Sequence, residues 1–199
     1  MSYYYKYNQQ RLFIEGTSVL NLAKKNTTPF YLYSGSQIRD NYLNFVKNFK
    51  IVNPLICFSV KSNSNPFILK FLKKLGSGAD VVSSGELLKA LKAGIKPNKI
   101  VFSGVGKSHS ELKYAIEKKI LLINSESKSE VFEIEKIAKL KKKIVNIGIR
   151  LNPNTDAKTL SKISTGKKGD KFGVNEKIFI EIVNYIKKSK YINLKCLSV

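Results

Sequence analysis

The sequence has few of the residues that bind metals or form disulfides: one histidine and two cysteines among 199 residues. It contains no Cys-x-x-Cys pair, and Cys57 and Cys196 both fall within apolar segments. A metal centre draws on several such ligands, so the composition argues against one. We expect the two cysteines to be small buried side chains in a reducing compartment rather than a disulfide.

Long apolar runs are also missing. The sequence has no stretch of about 18 consecutive apolar residues that would predict a transmembrane helix. The N-terminal residues Met1–Lys6 lack the basic start and the apolar core of a secretory signal. The sequence therefore predicts a cytoplasmic protein without a membrane partner.

Arginine is scarce, although the chain is strongly basic. Lysine and arginine together number 36 against 14 acidic residues, which gives a formal charge of +22. The arginines are Arg11, Arg39 and Arg150, whereas lysines are spread over every predicted helix. Nucleic-acid surfaces rely on arginine for bidentate and stacking contacts. We therefore expect no specific nucleic-acid partner, only weak, salt-dependent binding to polyanions.

From residue 54 onward, the sequence alternates between short apolar segments and helical patterns. The apolar segments are predicted strands of a parallel sheet that is buried on both faces: 55–60, 79–82, 100–103, 120–124, 145–151 and 192–199. Asn-Pro and Ser-x-x-Glu capping signals mark helix starts at residues 65–66, 83–86, 108–111 and 127–130. This order predicts an α/β fold, either an open sheet or an incomplete (β/α)8 barrel of five to six strands.

Residues 1–30 are predicted to form a separate arm, and residues 31–199 the barrel. Alternating side chains around Asn8-Gln9-Gln10 indicate a β-hairpin, and a short helix follows over residues 20–25. A strand over Phe30–Tyr33 and a helix over Ser36–Phe49 would lead into the barrel. A lone hairpin is marginal in water, so we expect the arm to join a β-domain outside these residues. Because the last predicted strand runs to Val199, we expect the chain to be a fragment.

Polar side chains collect at the C-terminal ends of the predicted strands, where such folds hold their chemistry. Lys61 follows the first of these strands. A lysine partly shielded from water can act there as a nucleophile, although a surface lysine at a strand end is the alternative. Asp80 interrupts an apolar strand and needs a partner. Glu86 either lines a site or only caps a helix, and Arg150 either binds an anionic group or pairs with an acidic neighbour.

Two loops and one histidine add further candidates. The turn Ser103–Lys107 (SGVGK) is either a phosphate cradle or a tight turn, since a lone Gly-x-Gly is a weak signal. The stretch from Pro153 to Gly173 has no hydrophobic period, which is typical of a mobile cover over a site. His109 lies near a helix start and is a weaker catalytic candidate.

Several segments, in this order, resemble one family. Phe58–Asn63 (FSVKSN) resembles the pyridoxal-phosphate lysine motif of the alanine-racemase-like, fold type III enzymes. Further segments narrow the resemblance to the diaminopimelate decarboxylases: 76–87, 100–107, 150–159 and 164–173, together with 12–16 and 28–33 near the N-terminus.

The resemblance implies a (β/α)8 barrel followed by a β-domain, pyridoxal 5′-phosphate as cofactor, and a cytoplasmic homodimer. It implies the decarboxylation of meso-diaminopimelate to L-lysine, the last step of bacterial lysine biosynthesis. Lys61 would be the catalytic residue that attaches the cofactor, and Asp80, Glu86 and Arg150 would line the cofactor pocket. The family's phosphate-binding loop and catalytic cysteine would lie beyond Val199. We therefore expect residues 1–199 alone to be inactive and poorly folded, because an open barrel leaves unpaired strand edges.

Three alternative hypotheses about the function remain open. The nearest is a decarboxylase of the same fold that acts on ornithine, arginine or carboxynorspermidine, although the GADVVS and STG segments favour diaminopimelate. The second is a non-catalytic protein that binds the cofactor, which the N-terminal arm argues against. The third is a basic nucleic-acid-binding protein, whose affinity would depend steeply on salt and would survive Lys61→Ala.

Overall fold

A computed structural model describes residues 4–155 and 171–199. The contacts divide the chain into two units, Met1–Pro54 and Leu55–Val199. The arm boundary predicted at residue 30 stays a prediction. Within the described residues, no helix is long and apolar enough to cross a membrane.

The first unit contains a small antiparallel sheet and two helices. Its strands β1 (Tyr5–Asn8), β2 (Arg11–Ile14) and β3 (Thr17–Ser18) pair in chain order. Helices α1 (Val19–Lys25) and α2 (Gly35–Asn48) follow. The predicted hairpin and both predicted helices are confirmed.

The strand predicted over Phe30–Tyr33 is wrong, because these residues belong to no strand in the structure. The segment has aromatic residues that suit a strand, but the sheet of this unit ends at β3. An extended segment becomes a strand only when another strand satisfies its backbone hydrogen bonds. Composition alone does not supply that partner.

The second unit is built on a parallel sheet in which every strand pairs with the next one along the chain. Its strands are β4 (Cys57–Ser59), β5 (Gly78–Val81), β6 (Ile100–Phe102), β7 (Leu122–Ser125), β8 (Val145–Arg150) and β9 (Ile192–Ser198). All six predicted strands are confirmed. Strand order that follows chain order is the order of a (β/α)8 barrel, whereas open doubly wound sheets reverse direction at a switch point. The unit is therefore a partial barrel.

In the described part of this unit, five α-helices cover the sheet: α3 (Pro66–Leu75), α4 (Ser84–Lys92), α5 (His109–Lys118), α6 (Lys128–Leu140) and α7 (Glu176–Ile186). Each begins after a residue whose side chain accepts a hydrogen bond from a backbone N–H of the first turn: Asn65, Ser83, Ser108, Ser127 and Asn175. These caps satisfy donors that the helix itself cannot pair. Each helix also contributes a fully buried aliphatic side chain to the core: Leu69, Leu87, Leu112, Ile134 and Ile182.

Gly78, the first residue of β5, lies where the sheet has no room for a side chain. A Cβ at this position would overlap the carbonyl oxygen of Lys99 and come within 2.7 Å of the Cys57 sulfur. Because a backbone carbonyl cannot swing aside, we expect Gly78→Ala to lower the free energy of unfolding by about 3 kcal/mol. Urea unfolding followed by circular dichroism measures this change.

Gly85→Ala is the matched control for that substitution. Gly85 lies in the first turn of α4, and the nearest atom to an added Cβ is 3.8 Å away. Alanine in a helix is favoured over glycine by about 0.5–1 kcal/mol, so this variant should be as stable as the parent or more stable. Equal urea midpoints for the two variants would contradict the close packing at Gly78.

Candidate active site

Lys61 lies two residues beyond Ser59, the C-terminal end of β4. Residues Val60–Ser62 form a short 3-10 turn, in which Asn63 donates its backbone N–H to the carbonyl of Val60 at 3.1 Å. Val60 is fully buried, but Lys61 is exposed. The predicted position of Lys61 is confirmed, whereas the partial burial expected for its side chain is not found. Among the described residues, its amine has no hydrogen-bond or ion-pair partner, so it remains available for chemistry.

A chain of polar side chains crosses the neighbouring strands. Asp80 pairs in register with Ser59, the last residue of β4. The Ser103 hydroxyl donates to Oδ1 of Asp80 at 2.6 Å, and the Asn124 amide donates to the Ser103 oxygen at 3.2 Å. Asp80 therefore has the partner that its place in an apolar strand requires.

Asn124 ends this chain with an unsatisfied group. It is a buried residue, and its Oδ1 atom has no hydrogen-bond partner among the described residues. A Cβ at Gly148 on β8 would overlap that oxygen, so only glycine leaves room for the amide. An unpaired buried acceptor is costly, and a role at a functional site is one explanation for such a group.

Glu86 acts at the start of α4. Its Oε2 atom accepts from the backbone N–H of Val82 at 2.9 Å, and its own N–H donates to the Ser83 hydroxyl at 3.2 Å. These are helix-capping contacts, the simpler of the two interpretations made from the sequence. Its place in a cofactor pocket stays a prediction.

The turn Ser103–Lys107 holds its lysine internally. Gly104 and Gly106 both have left-handed backbone angles. The Lys107 amine donates to the carbonyl oxygens of Gly104 and Asn124 and to Oε1 of Glu130, at 2.6, 2.7 and 2.7 Å. Its side chain is only 1% exposed. The segment is a tight turn whose lysine is already saturated with oxygen acceptors, which leaves no amine for a phosphate.

Glu130 is the acidic partner in this buried pair. Burial raises the pKa of its carboxyl group, and Lys107 acts in the opposite direction. Sequence reasoning assigned Glu130 only to a helix cap. Its position at the third residue of α6 could not reveal that it faces a lysine 23 residues earlier in the chain.

Arg150 ends β8 and pairs with an acidic neighbour. Its Nη1 atom lies 3.3 Å from Oε1 of Glu126, and its guanidinium lies 4.6 Å from the centre of the Phe172 ring. Sequence reasoning missed Glu126, although it directly follows β7. The role of Arg150 toward a cofactor stays a prediction. The cover predicted between Pro153 and Gly173 falls mostly on residues 156–170, which lie outside the described residues.

The single histidine and the two cysteines are not brought together. His109 contacts Glu133 through Nδ1 at 2.5 Å and so links α5 to α6. Both cysteines are unpaired and partly buried. Burial, with a smaller contribution from the Asp80 carboxylate, raises the pKa of Cys57 to about 11. The Cys57 thiol is therefore protonated at neutral pH and is not a nucleophile.

Comparison with known proteins identifies the family. The family model of the pyridoxal-binding domain of pyridoxal-dependent decarboxylases matches residues 35–199. The diaminopimelate decarboxylase of Helicobacter pylori strain J99 is 52% identical over 165 residues, which cover 83% of this chain and 41% of that protein. The chain therefore spans less than half the length of this curated relative.

Solved structures agree with this match. The crystal structure of diaminopimelate decarboxylase from M. jannaschii superposes with a TM-score of 0.90 at 35% identity, over 98% of this chain and 46% of that one. The H. pylori enzyme complexed with L-lysine gives a TM-score of 0.87 at 48% identity, over 89% of this chain and 45% of that one. With a lysine at the end of the first barrel strand and these similarities across nearly all its residues, the chain belongs to the pyridoxal-dependent decarboxylases.

Proposed function

We propose that the whole protein converts meso-diaminopimelate to L-lysine and carbon dioxide, with pyridoxal 5′-phosphate as its cofactor. The observation that carries this proposal is the 52% identity to the H. pylori diaminopimelate decarboxylase over 165 residues. A homologous H. pylori enzyme has been crystallised with L-lysine, the product expected here. We also propose that the whole protein works in the cytoplasm as a homodimer, as the resemblance implies.

The residues at the C-terminal edge of the sheet fit a pyridoxal group. The aldehyde of the cofactor reacts with a primary amine, and Lys61 offers an exposed one. The Asp80–Ser103–Asn124 chain provides a carboxylate next to β4 and a buried amide oxygen without a partner among the described residues. Arg150 adds a permanent positive charge at the same edge of the sheet, which suits a cofactor that carries a phosphate.

Each of these residues would have a separate role in binding the cofactor. Lys61 would hold the cofactor through its exposed side-chain amine. Asp80, Glu86 and Arg150 would line the pocket and fix the orientation of the bound molecule. When bound, pyridoxal phosphate would supply the electron sink that decarboxylation needs. The product would keep one carboxylate and both amines, with a proton in place of the carboxylate lost as carbon dioxide.

A comparison of substrates tests the proposed reaction. Purified whole protein loaded with pyridoxal phosphate is offered meso-diaminopimelate, ornithine, arginine or carboxynorspermidine, and carbon dioxide release is measured for each. We expect the highest kcat/KM with meso-diaminopimelate. A higher value with any other substrate would assign the chain to a different decarboxylase of the same fold.

The 199-residue chain alone is expected to give no turnover in this assay. It spans only 41% of the length of its H. pylori relative. Turnover by the isolated chain would show that the residues described here are sufficient for catalysis.

A further inference from the structure

Glu126 is a buried carboxylate that the proposed reaction does not yet use. It directly follows β7, and its side chain is only 3% exposed. Burying an ionised carboxylate is expensive unless charged and hydrogen-bonding partners compensate for the lost water. The partners of Glu126 therefore indicate why a carboxylate stands at this position.

Those partners lie on two different segments. Oε1 of Glu126 lies 3.3 Å from Nη1 of Arg150 at the end of β8. Oε2 accepts the backbone N–H of Gly173 at 2.9 Å. One carboxylate thus bridges the end of a barrel strand and the residues that lead into α7.

The Gly173 segment is built closely against β8. Val174 donates its N–H to the carbonyl of Arg150, and Asn152 donates to the carbonyl of Val174, both at 2.8 Å. Gly173 has a φ of +72°, and a Cβ there would lie 2.8 Å from the Arg150 carbonyl oxygen. In this conformation the Gly173 N–H donates to Glu126. The Glu126 carboxylate and the hydrogen bonds between Val174 and β8 therefore hold the same segment in place.

The same segment also provides a second contact to Arg150, through the ring of Phe172. The Phe172 ring centre lies 4.6 Å from the guanidinium carbon, within the range of a cation–π contact. Arg150 thus contacts both a carboxylate and an aromatic ring, and 21% of its side chain remains exposed. A guanidinium has several N–H donors, and Glu126 engages only one of its nitrogens. As far as the described residues show, the remaining donors are available for an anionic group.

We propose that Glu126 is a positioning residue for the pyridoxal site: it fixes the Arg150 guanidinium, and with it the Phe172–Val174 segment, so that Arg150 can bind an anionic group of the cofactor. This inference rests on the proposed function. Glu126 acts through Arg150 and does not itself contact the cofactor. A lysine at position 150 would not replace the arginine, because a point charge lacks the planar shape that contacts both partners.

The test is a double-mutant cycle in the whole protein with Glu126→Gln, Arg150→Gln and the double variant. Absorbance titration gives the dissociation constant for pyridoxal phosphate in each. We expect each single change to weaken binding about tenfold, within the range measured for contacting residues. The double variant should be no weaker than Arg150→Gln alone. Unchanged affinity in Glu126→Gln, or losses that multiply in the double variant, would overturn the positioning role.

Glu133→Gln is the matched control, because Glu133 lies on α6 and pairs with His109 at the surface. Its cofactor affinity should equal that of the parent. If Glu126→Gln does not fold, Glu126→Asp takes its place in the cycle. Its carboxylate is one methylene shorter and cannot reach both partners, so it should also weaken binding.

A second readout needs no cofactor. In NMR spectra of the cofactor-free protein, the Nη1–H protons of Arg150, which donate to Glu126, should exchange slowly with water in the parent and in Glu133→Gln, and rapidly in Glu126→Gln. Equal exchange rates in all three would refute the positioning contact. Exchange that depends on Glu126, in a parent protein that fails to bind pyridoxal phosphate, would refute the proposed function while the contact stands.

Discussion

Replacing Lys61 with alanine is expected to abolish covalent cofactor attachment and to reduce decarboxylation to background. Lys61 is exposed at the end of β4, without a partner among the described residues, so its removal deletes a nucleophile and disturbs no packing. Lys61→Arg should be equally inactive. A guanidinium keeps the positive charge but does not deprotonate near neutral pH, so it cannot form the bond to the cofactor.

Lys70→Ala is the control for that experiment, because Lys70 is an exposed lysine on α3. Borohydride reduction of the loaded protein, followed by peptide mass spectrometry, should place the cofactor on the Lys61 peptide in the parent and in Lys70→Ala. Attachment to other lysines at comparable yield, or turnover that survives Lys61→Ala, would remove Lys61 from the mechanism. The circular dichroism spectra of all variants should match.

Lys107→Met is expected to lower the free energy of unfolding by about 3–5 kcal/mol, the usual cost of removing one partner of a buried ion pair. Methionine fills a similar volume but donates no hydrogen bond. The change leaves the Gly104 and Asn124 carbonyls without their lysine and leaves Glu130 buried without a counter-charge. Urea unfolding monitored by circular dichroism measures the loss.

The stability that Lys107→Met loses should depend on pH in a direction that follows from Glu130. Burial already raises the pKa of Glu130, and in Lys107→Met the opposing effect of the lysine is gone. A carboxyl group whose pKa is higher in the folded state than in the unfolded state binds its proton more tightly when folded. The stability of Lys107→Met relative to the parent should therefore recover as the pH falls below the raised pKa.

Lys141→Met provides the matched control for Lys107→Met. Lys141 forms an ion pair of similar length with Glu117, at 2.6 Å, but both side chains are more than a third exposed. Exposed pairs contribute about 0–1 kcal/mol, so this variant should unfold close to the parent. A loss in Lys107→Met no larger than in Lys141→Met would contradict the structural role of the buried pair.

The strands and helices of the second unit could be predicted because local signals agreed. Short apolar segments such as Gly78–Val81 were followed by capping residues, here Ser83, that the structure uses as caps. Strand order was left open by the sequence, since an open sheet and a barrel share the same alternation. Phe30–Tyr33 shows the limit of such reasoning, because a strand depends on a partner that its own residues do not specify.

The site was predictable only in part, for a similar reason. The place of Lys61 followed from its position after an apolar strand, and the need of Asp80 for a partner followed from burial. The turn Ser103–Lys107 stayed open between a phosphate cradle and a tight turn, because the partner of Lys107, Glu130, lies far away in sequence. Glu126 went unnoticed because a glutamate after a strand is unremarkable until Arg150 and Gly173 are brought beside it.

The pairing of each strand with the next one in the chain has a consequence for the order of assembly. From β4 to β8, contacts between neighbouring strands join segments that are close in sequence, such as Ser59 with Asp80 and Asp80 with Val101. Closing such short loops costs little chain entropy and favours rapid folding. During synthesis, each new strand and helix can dock on the edge left by the one before it. The strand that precedes Lys61 would then be the template on which the rest of the sheet grows.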